Sequence, residues 1–169
     1  RVLSTPSHWA YLKISDGCDN KCSYCAIPGI RGRFRSRDMD SVVDEARLLA
    51  SKGVKELILV AQDTTKYGQD LYGEYSLDKL LKRLVKIDGI EWIRLFYCYP
   101  QRITDSLIET IAAEEKICNY IDIPLQHADK NVLKSMNRVG DAEEYKALIE
   151  KMRKAIPDLA LRTTFMVGF

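Results

Sequence analysis

No stretch of this sequence reaches the roughly 18 consecutive apolar residues that would span a bilayer as a helix. Its opening, from Arg1, has no charged-then-apolar leader closed by small residues. These absences point to a cytoplasmic protein without a membrane partner. Net charge is also slight: 26 lysines and arginines face 24 acidic residues, a formal +2 that does not announce a nucleic-acid binder. Basic residues are dense only at Arg31, Arg33, Arg35 and Arg37. No internal repeat, low-complexity stretch or linker divides the chain. With 169 residues, 46% of them apolar and 30% charged, it has the makings of one soluble globular domain with its own core.

Five cysteines without a secretory leader argue for metal or redox chemistry in a reducing compartment rather than a disulfide framework. Arg1 is not an initiator, and Val167-Gly168-Phe169 follows directly on a strand-like run, so the sequence reads as a piece of a longer protein.

The run Leu57-Ile58-Leu59-Val60-Ala61 lacks in/out alternation, which predicts a parallel strand buried on both faces. Similar segments lie at about 10–15, 92–97, 119–124 and 159–167. Helical patterns separate them. Val42, Val43, Ala46, Leu49 and Ala50 end near Gly53, while Leu77, Leu80, Leu81, Leu84 and Val85 start after Ser76. Leu107, Ile108 and Ile111 follow Thr104, and a short helix covers Asn131 to Met136. Asp141 and Glu144 form a capping-box pattern ahead of Tyr145, Leu148, Ile149 and Met152. Five strands alternating with helices predict an α/β fold, either an open doubly wound sheet or a barrel. In both, chemistry sits at the carboxyl ends of the strands. That rule selects the cysteine loop, Gln62 and Asp63, Tyr97 to Tyr99, and Gln126 with His127.

Cys18, Cys22 and Cys25 follow a C-x3-C-x2-C spacing on one loop. Structural zinc and ferredoxin clusters want four ligands, so a lone triplet implies either a distant fourth ligand or an open iron. The first alternative is a non-enzymatic zinc or interaction module completed by Cys98, Cys118 or a histidine. Cys98 and Cys118 otherwise read as small core residues.

The triplet with Tyr24 before its last cysteine resembles the signature of radical S-adenosylmethionine enzymes. That resemblance implies a partial (β/α) barrel with five of the usual six parallel strands, and a 4Fe-4S cluster on Cys18, Cys22 and Cys25. The open iron would take the amino and carboxylate groups of S-adenosylmethionine, whose one-electron cleavage yields a hydrogen-abstracting 5'-deoxyadenosyl radical. Ser15-Asp16-Gly17-Cys18, Ile27-Pro28 with Arg31-Gly32 and Ser36-Arg37, Ile121 to His127, and Thr164 to Phe169 narrow the likeness to the methylthiotransferases. Ala61-Gln62-Asp63-Thr64-Thr65 with Tyr67-Gly68, and the segment His8 to Ile14, look like the RimO branch, which modifies an aspartate of small-subunit ribosomal protein twelve. The alternative is the transfer-RNA branch, MiaB.

On this likeness residues 1–169 are a radical core, with 1–8 as incoming linker. The family's N-terminal domain with a second 4Fe-4S cluster and its C-terminal TRAM domain have no counterpart here. An electron donor such as flavodoxin or ferredoxin is implied, and nucleic acid would be met only through the ribosome or, in the alternative, as transfer RNA. Gln62, Asp63 and Tyr67 form the expected catalytic set, while Tyr24, Gln62, Gln126 and Arg162 are the expected cofactor contacts. Each has a plainer reading. Tyr24 can simply pack beneath the loop, Gln62 and Asp63 can cap a strand end, and His127 can be a satisfied structural histidine. Arg162, expected within a buried strand, needs a carboxylate from the protein or the cofactor. Tyr67, Tyr72 and Tyr75 either face substrate or cover the mouth. The arginine run either meets an acidic or RNA-associated target or is a solvated loop.

Overall fold

The computed structural model describes residues 4–169. The first part of the expected linker, residues 1–3, lies outside the described residues. The chain then runs β1 (Trp9–Lys13), β2 (Ser15–Asp16), α1 (Ile27–Arg31), β3 (Arg35–Ser36), α2 (Met39–Ser51), β4 (Glu56–Val60), α3 (Gln69–Tyr72) and α4 (Leu77–Leu84). It continues through β5 (Trp92–Leu95), α5 (Asp105–Ala113), β6 (Ile117–Asp122), α6 (Lys130–Ser135), α7 (Ala142–Ala155) and β7 (Ala160–Arg162).

Five strands form one parallel sheet in the order β1-β4-β5-β6-β7, as the alternation of apolar runs and helices requires. The sheet stays open, with β1 and β7 at its edges. Strands β2 and β3 make a separate antiparallel pair between the cysteine loop and α2.

The expectation of a strand buried on both faces holds for the run Leu57 to Ala61, where Ile58 on the inner face is buried too and Val60 half-buried, and is corrected for the strands beside it. Ala10, Leu12, Leu57, Leu59, Ile93, Leu95, Ile117 and Ile121 are buried beneath a layer of α2, α4, α5 and α7. The opposite face carries Tyr11, Lys13, Glu56, Trp92 and Arg94, exposed or half-buried. There Arg94 pairs with Glu56 at 2.6 Å and lies over the Tyr120 ring. The sheet is therefore one-sided, with an apolar outer face and a mixed inner one.

Strand β7 is shorter than expected because the Thr163 hydroxyl takes over its ladder. It donates to the Ile123 carbonyl at 2.7 Å and accepts from the Leu125 N–H, leaving one further bridge at Gln126 and Phe165. Helix starts follow the expected caps in part. Asp141 accepts from the N–H groups of Glu143 and Glu144, and Thr104 from that of Leu107. The Ser76 hydroxyl instead donates to the Glu74 carbonyl and leaves α4 uncapped by a side chain. No helix among the described residues is long and apolar enough to cross a membrane.

Candidate active site

The cysteine loop leaves the carboxyl end of the first strands and is clamped on two sides. On one side Asn20 donates to Asp63 at 3.3 Å and accepts from Arg102 at 2.8 Å, and Arg102 itself pairs with Asp63. Asp19 accepts from Lys66 at 2.7 Å and from the Phe34 N–H. The Lys66 ammonium holds the Asp19 carboxyl below its ordinary range, against the opposing effect of burial. On the other side the Ser23 N–H and hydroxyl donate to the carbonyls of Met136 and Ser135, and Asn137 donates to the Lys21 carbonyl at 2.7 Å. The end of α6 therefore holds a loop more than a hundred residues away in sequence.

Between these clamps lies a cavity of about 380 Å³. Its walls are Cys18, Asn20, Cys22, Tyr24, Cys25, Ile27, Ala61, Gln62, Tyr97, Cys98, Tyr99, Pro124, Gln126 and Arg138. Most walls come from the loop or from a segment following a strand's carboxyl end, while Ile27 opens α1 and Arg138 follows α6. Two walls have costly backbone: Tyr97 and Gln126 sit at φ 59° and 72°, in the left-handed region that favours glycine. For Gln126 the neighbouring chain holds that conformation, its N–H donating to the Thr164 carbonyl and its carbonyl accepting from Met166.

The three thiols feel one another. Burial pushes the Cys18 thiol up, and the Asp63 carboxylate and the thiols of Cys22 and Cys25 add to the shift, while the Asn20 N–H opposes it. Three thiolates crowded together call for a compensating cationic group. Among the described residues no three cysteine, histidine or acidic side chains converge closely enough to hold a single metal ion. A polynuclear cluster takes its thiolates on separate irons, so the three sulfurs need not meet at one point.

Other polar groups fit a ligand in the cavity. The Gln62 Oε1 atom is buried and has no hydrogen-bond partner. Arg138 is buried, stacks 4.5 Å from the Tyr99 ring, donates to the Pro124 carbonyl at 3.0 Å and lies 3.9 Å from the Cys22 sulfur. Its Nε is likewise without a partner. Burial pushes the Tyr24 hydroxyl up to about 12, so it stays protonated against the cavity wall.

The structure brings together Cys18, Cys22, Cys25, Tyr24, Gln62 and Gln126. It places three other candidates elsewhere. Asp63 lies behind the wall, buried and occupied by Asn20, Thr65 and Arg102. Tyr67 does not stand at the mouth: its ring is fully buried in the core and its hydroxyl donates to the Arg37 carbonyl at 2.9 Å, because Gly68 turns the chain inward at φ 88°. Arg162 is on exposed edge strand β7, not in a buried one, and pairs with Asp122 at 3.1 Å. The His127 Nδ1 atom accepts from the Asp129 N–H, the structural role weighed for it. Cys98 is a buried thiol raised to about 12 by burial, although it does line the cavity, and Cys118 lies half-buried on β6.

The strand-end rule did select Tyr97 to Tyr99, which line the cavity, whereas Arg138, Asn20 and Arg102 were not singled out from the sequence. A basic residue just past a short helix carries no periodic signal, and only the fold brings Arg138 beside Cys22. The Asp63–Arg102 pair gives a direct test. Arg102→Met leaves a buried carboxylate short of its cation, at a cost of about 3 kcal/mol. Hydrogen exchange across residues 18–25 should accordingly accelerate by on the order of a hundredfold. Unchanged exchange would show that the clamp does not hold the loop.

The chain is similar to known proteins at two levels. A profile of the radical SAM superfamily matches residues 12–169. Two curated relatives bear the name ribosomal protein uS12 methylthiotransferase RimO. The one from Heliobacterium modesticaldum is 57% identical over 99% of this chain and 36% of its own length, and the one from Pelotomaculum thermopropionicum is 59% identical over 100% and 38%. The chain thus spans less than two fifths of those relatives. Among solved structures, the radical S-adenosylmethionine methyltransferase TsrM of Kitasatospora setae, with cobalamin and a [4Fe-4S] cluster bound, superposes with a TM-score of 0.71 at 17% identity. That match covers 93% of this chain and 30% of TsrM. The cobalamin-dependent radical enzyme OxsB gives 0.69 at 13% identity over 92% and 23%, a likeness of fold. With the profile covering nearly the whole sequence and the thiol triplet facing a cavity at the strand ends, this chain belongs to the radical SAM superfamily, and membership implies a 4Fe-4S cluster and S-adenosylmethionine.

Proposed function

We propose that Cys18, Cys22 and Cys25 each give one thiolate to the 4Fe-4S cluster and that S-adenosylmethionine occupies the cavity before them. The protein to which the chain belongs is then a methylthiotransferase that modifies an aspartate of a small-subunit ribosomal protein. The observation that carries the reading is the single cavity in which the triplet meets an unpartnered Gln62 amide and a buried Arg138 cation. The name shared by the relatives supplies the substrate.

When bound, the cluster and cofactor supply one-electron cleavage chemistry. The chain's own residues bind, orient and exclude water. The Asn20 N–H, 3.4 Å from the Cys18 sulfur, and the Arg138 guanidinium, near that of Cys22, stabilise thiolate charge. Gln62 Oε1 would accept from a cofactor N–H or O–H, and Gln126, which lines the same cavity, would contact that ligand too. Tyr24, Tyr97 and Tyr99 close the cavity with rings. Asp63 acts as a positioning residue, through Asn20 on the cysteine loop. A second 4Fe-4S cluster belongs to this reading as a group held outside these 169 residues, with flavodoxin or ferredoxin as electron donor.

Mass spectrometry of both candidate substrates tests the reading. Full-length protein, reductant, sulfide and S-adenosylmethionine should add a methylthio group to the ribosomal protein's aspartate and leave transfer RNA unchanged. Gain on transfer RNA alone would move the protein to the other branch.

A further inference from the structure

A second concavity of about 380 Å³ lies beside the first, on the inner face of the sheet, and shares Ala61, Gln62 and Tyr97 with it. Its floor is made by the ends of β1, β4 and β5, through Lys13, Val60 and the Phe96 that follows β5, and Arg31 closes one side. Three neighbouring strands present a width of about 10 Å, enough for about three residues of extended chain. The rings of Tyr11 and Tyr97, 42% and 44% exposed, flank it.

Its lining carries cations and no carboxylate. Lys13 and Arg31 line it, and Asp16, outside the lining, takes Lys13 at 2.8 Å and feels Arg31 through space. Two cations against one anion leave a net charge of +1 at the groove. Arg31, exposed at the last position of α1, makes no ion pair among the described residues.

Resting on the function just proposed, we propose that this groove seats the polypeptide segment that bears the target aspartate, with Arg31 and secondarily Lys13 receiving the carboxylate of the residue to be modified. The shared wall of Ala61, Gln62 and Tyr97 then sets that residue's carbon against the cofactor cavity. A nucleic-acid backbone fits less well, because it needs several free cations in file. Of the arginine run, Arg37 is turned inward to Glu45 and Ser41, and Arg33 lies 4.0 Å from Asp19 rather than in the groove.

The test uses full-length protein with a peptide bearing the target aspartate, and the same peptide with asparagine there as a competitive inhibitor. Arg31→Gln should raise KM for the aspartate peptide about tenfold. The inhibition constant of the asparagine peptide should stay as in the wild type, since that ligand has no charge to lose. Arg31→Lys should recover most of the loss, and Arg31→Glu should lower kcat/KM by about a hundredfold. Equal weakening of both peptides by Arg31→Gln, or no change in either, would overturn the carboxylate assignment while leaving the proposed reaction standing. Wild-type protein that modifies transfer RNA and no peptide would overturn the proposed function first, and this inference with it.

Discussion

Alanine at Cys18, Cys22 or Cys25 should each remove the iron and sulfide of the reconstituted protein, and with them the cleavage of S-adenosylmethionine. Losing even a group that merely orients a ligand costs about 10–100-fold in metal affinity, so losing one of three thiolates should exceed that range. Spare thiols offer no rescue. Cys98, though it lines the cavity, is buried, contacts the Thr64 hydroxyl and has its pKa raised to about 12, and Cys118 sits partway along β6. Cys98→Ala and Cys118→Ala should therefore retain iron. The measurement is iron, sulfide and zinc analysis with absorption spectra after anaerobic reconstitution. Iron unchanged in all three triplet variants would sink the cluster assignment, and loss of iron in the Cys98 or Cys118 variant would bring back a fourth protein ligand.

Gly17→Ala should be nearly as damaging although it touches no thiol. Gly17 lies at φ 76°, and a Cβ built there would fall 2.1 Å from the Arg33 carbonyl oxygen and 2.8 Å from that of Gly32. The left-handed conformation itself costs an alanine about 1–2 kcal/mol. The collision is the larger effect, because both obstacles are backbone and neither can rotate aside. The neighbouring Cys18 N–H donates to the Gly32 carbonyl at 3.1 Å, so any shift that admits the methyl group pulls the first cysteine from its seat. Gly29→Ala, with nothing within 4 Å of the added atom and a helical position, is the matched control. Iron content should collapse in the first variant and hold in the second. Equal iron in both would show that the loop tolerates a different approach to the turn before β3.

The alternation of strands and helices and the cysteine spacing were legible because both are local patterns, one of apolar periodicity and one of reactive side chains. Face assignment was legible only in part. The run Leu57 to Ala61 reads as buried and is, with Val60 half-buried, yet the strands beside it leave Tyr11, Lys13 and Trp92 exposed on the inner face, since periodicity records apolar content and not which layer covers it. Tyr67 was misplaced for a related reason: an aromatic in a loop after a strand looks like a mouth residue until Gly68 turns it inward. Arg162 looked buried because apolar neighbours surround it in sequence, while in space it stands on the open edge. Arg138 shows the converse limit. Its importance comes from a contact with Cys22, and no local pattern announces a pairing across 116 residues.

Strand order in the main sheet equals chain order, so each unit can dock on the one made before it without waiting for later sequence. A chain growing on the ribosome would then present its three thiols well before Pro124, Gln126 and Arg138, the last walls of their chamber, have been made. At about 5–20 residues per second, the 113 residues from Cys25 to Arg138 occupy roughly 6–23 s of synthesis. During that interval the triplet is an open thiol site, available to oxidants and stray metal ions. The loop acquires its second clamp only once α6 arrives, when Met136, Ser135 and Asn137 take up Ser23 and Lys21.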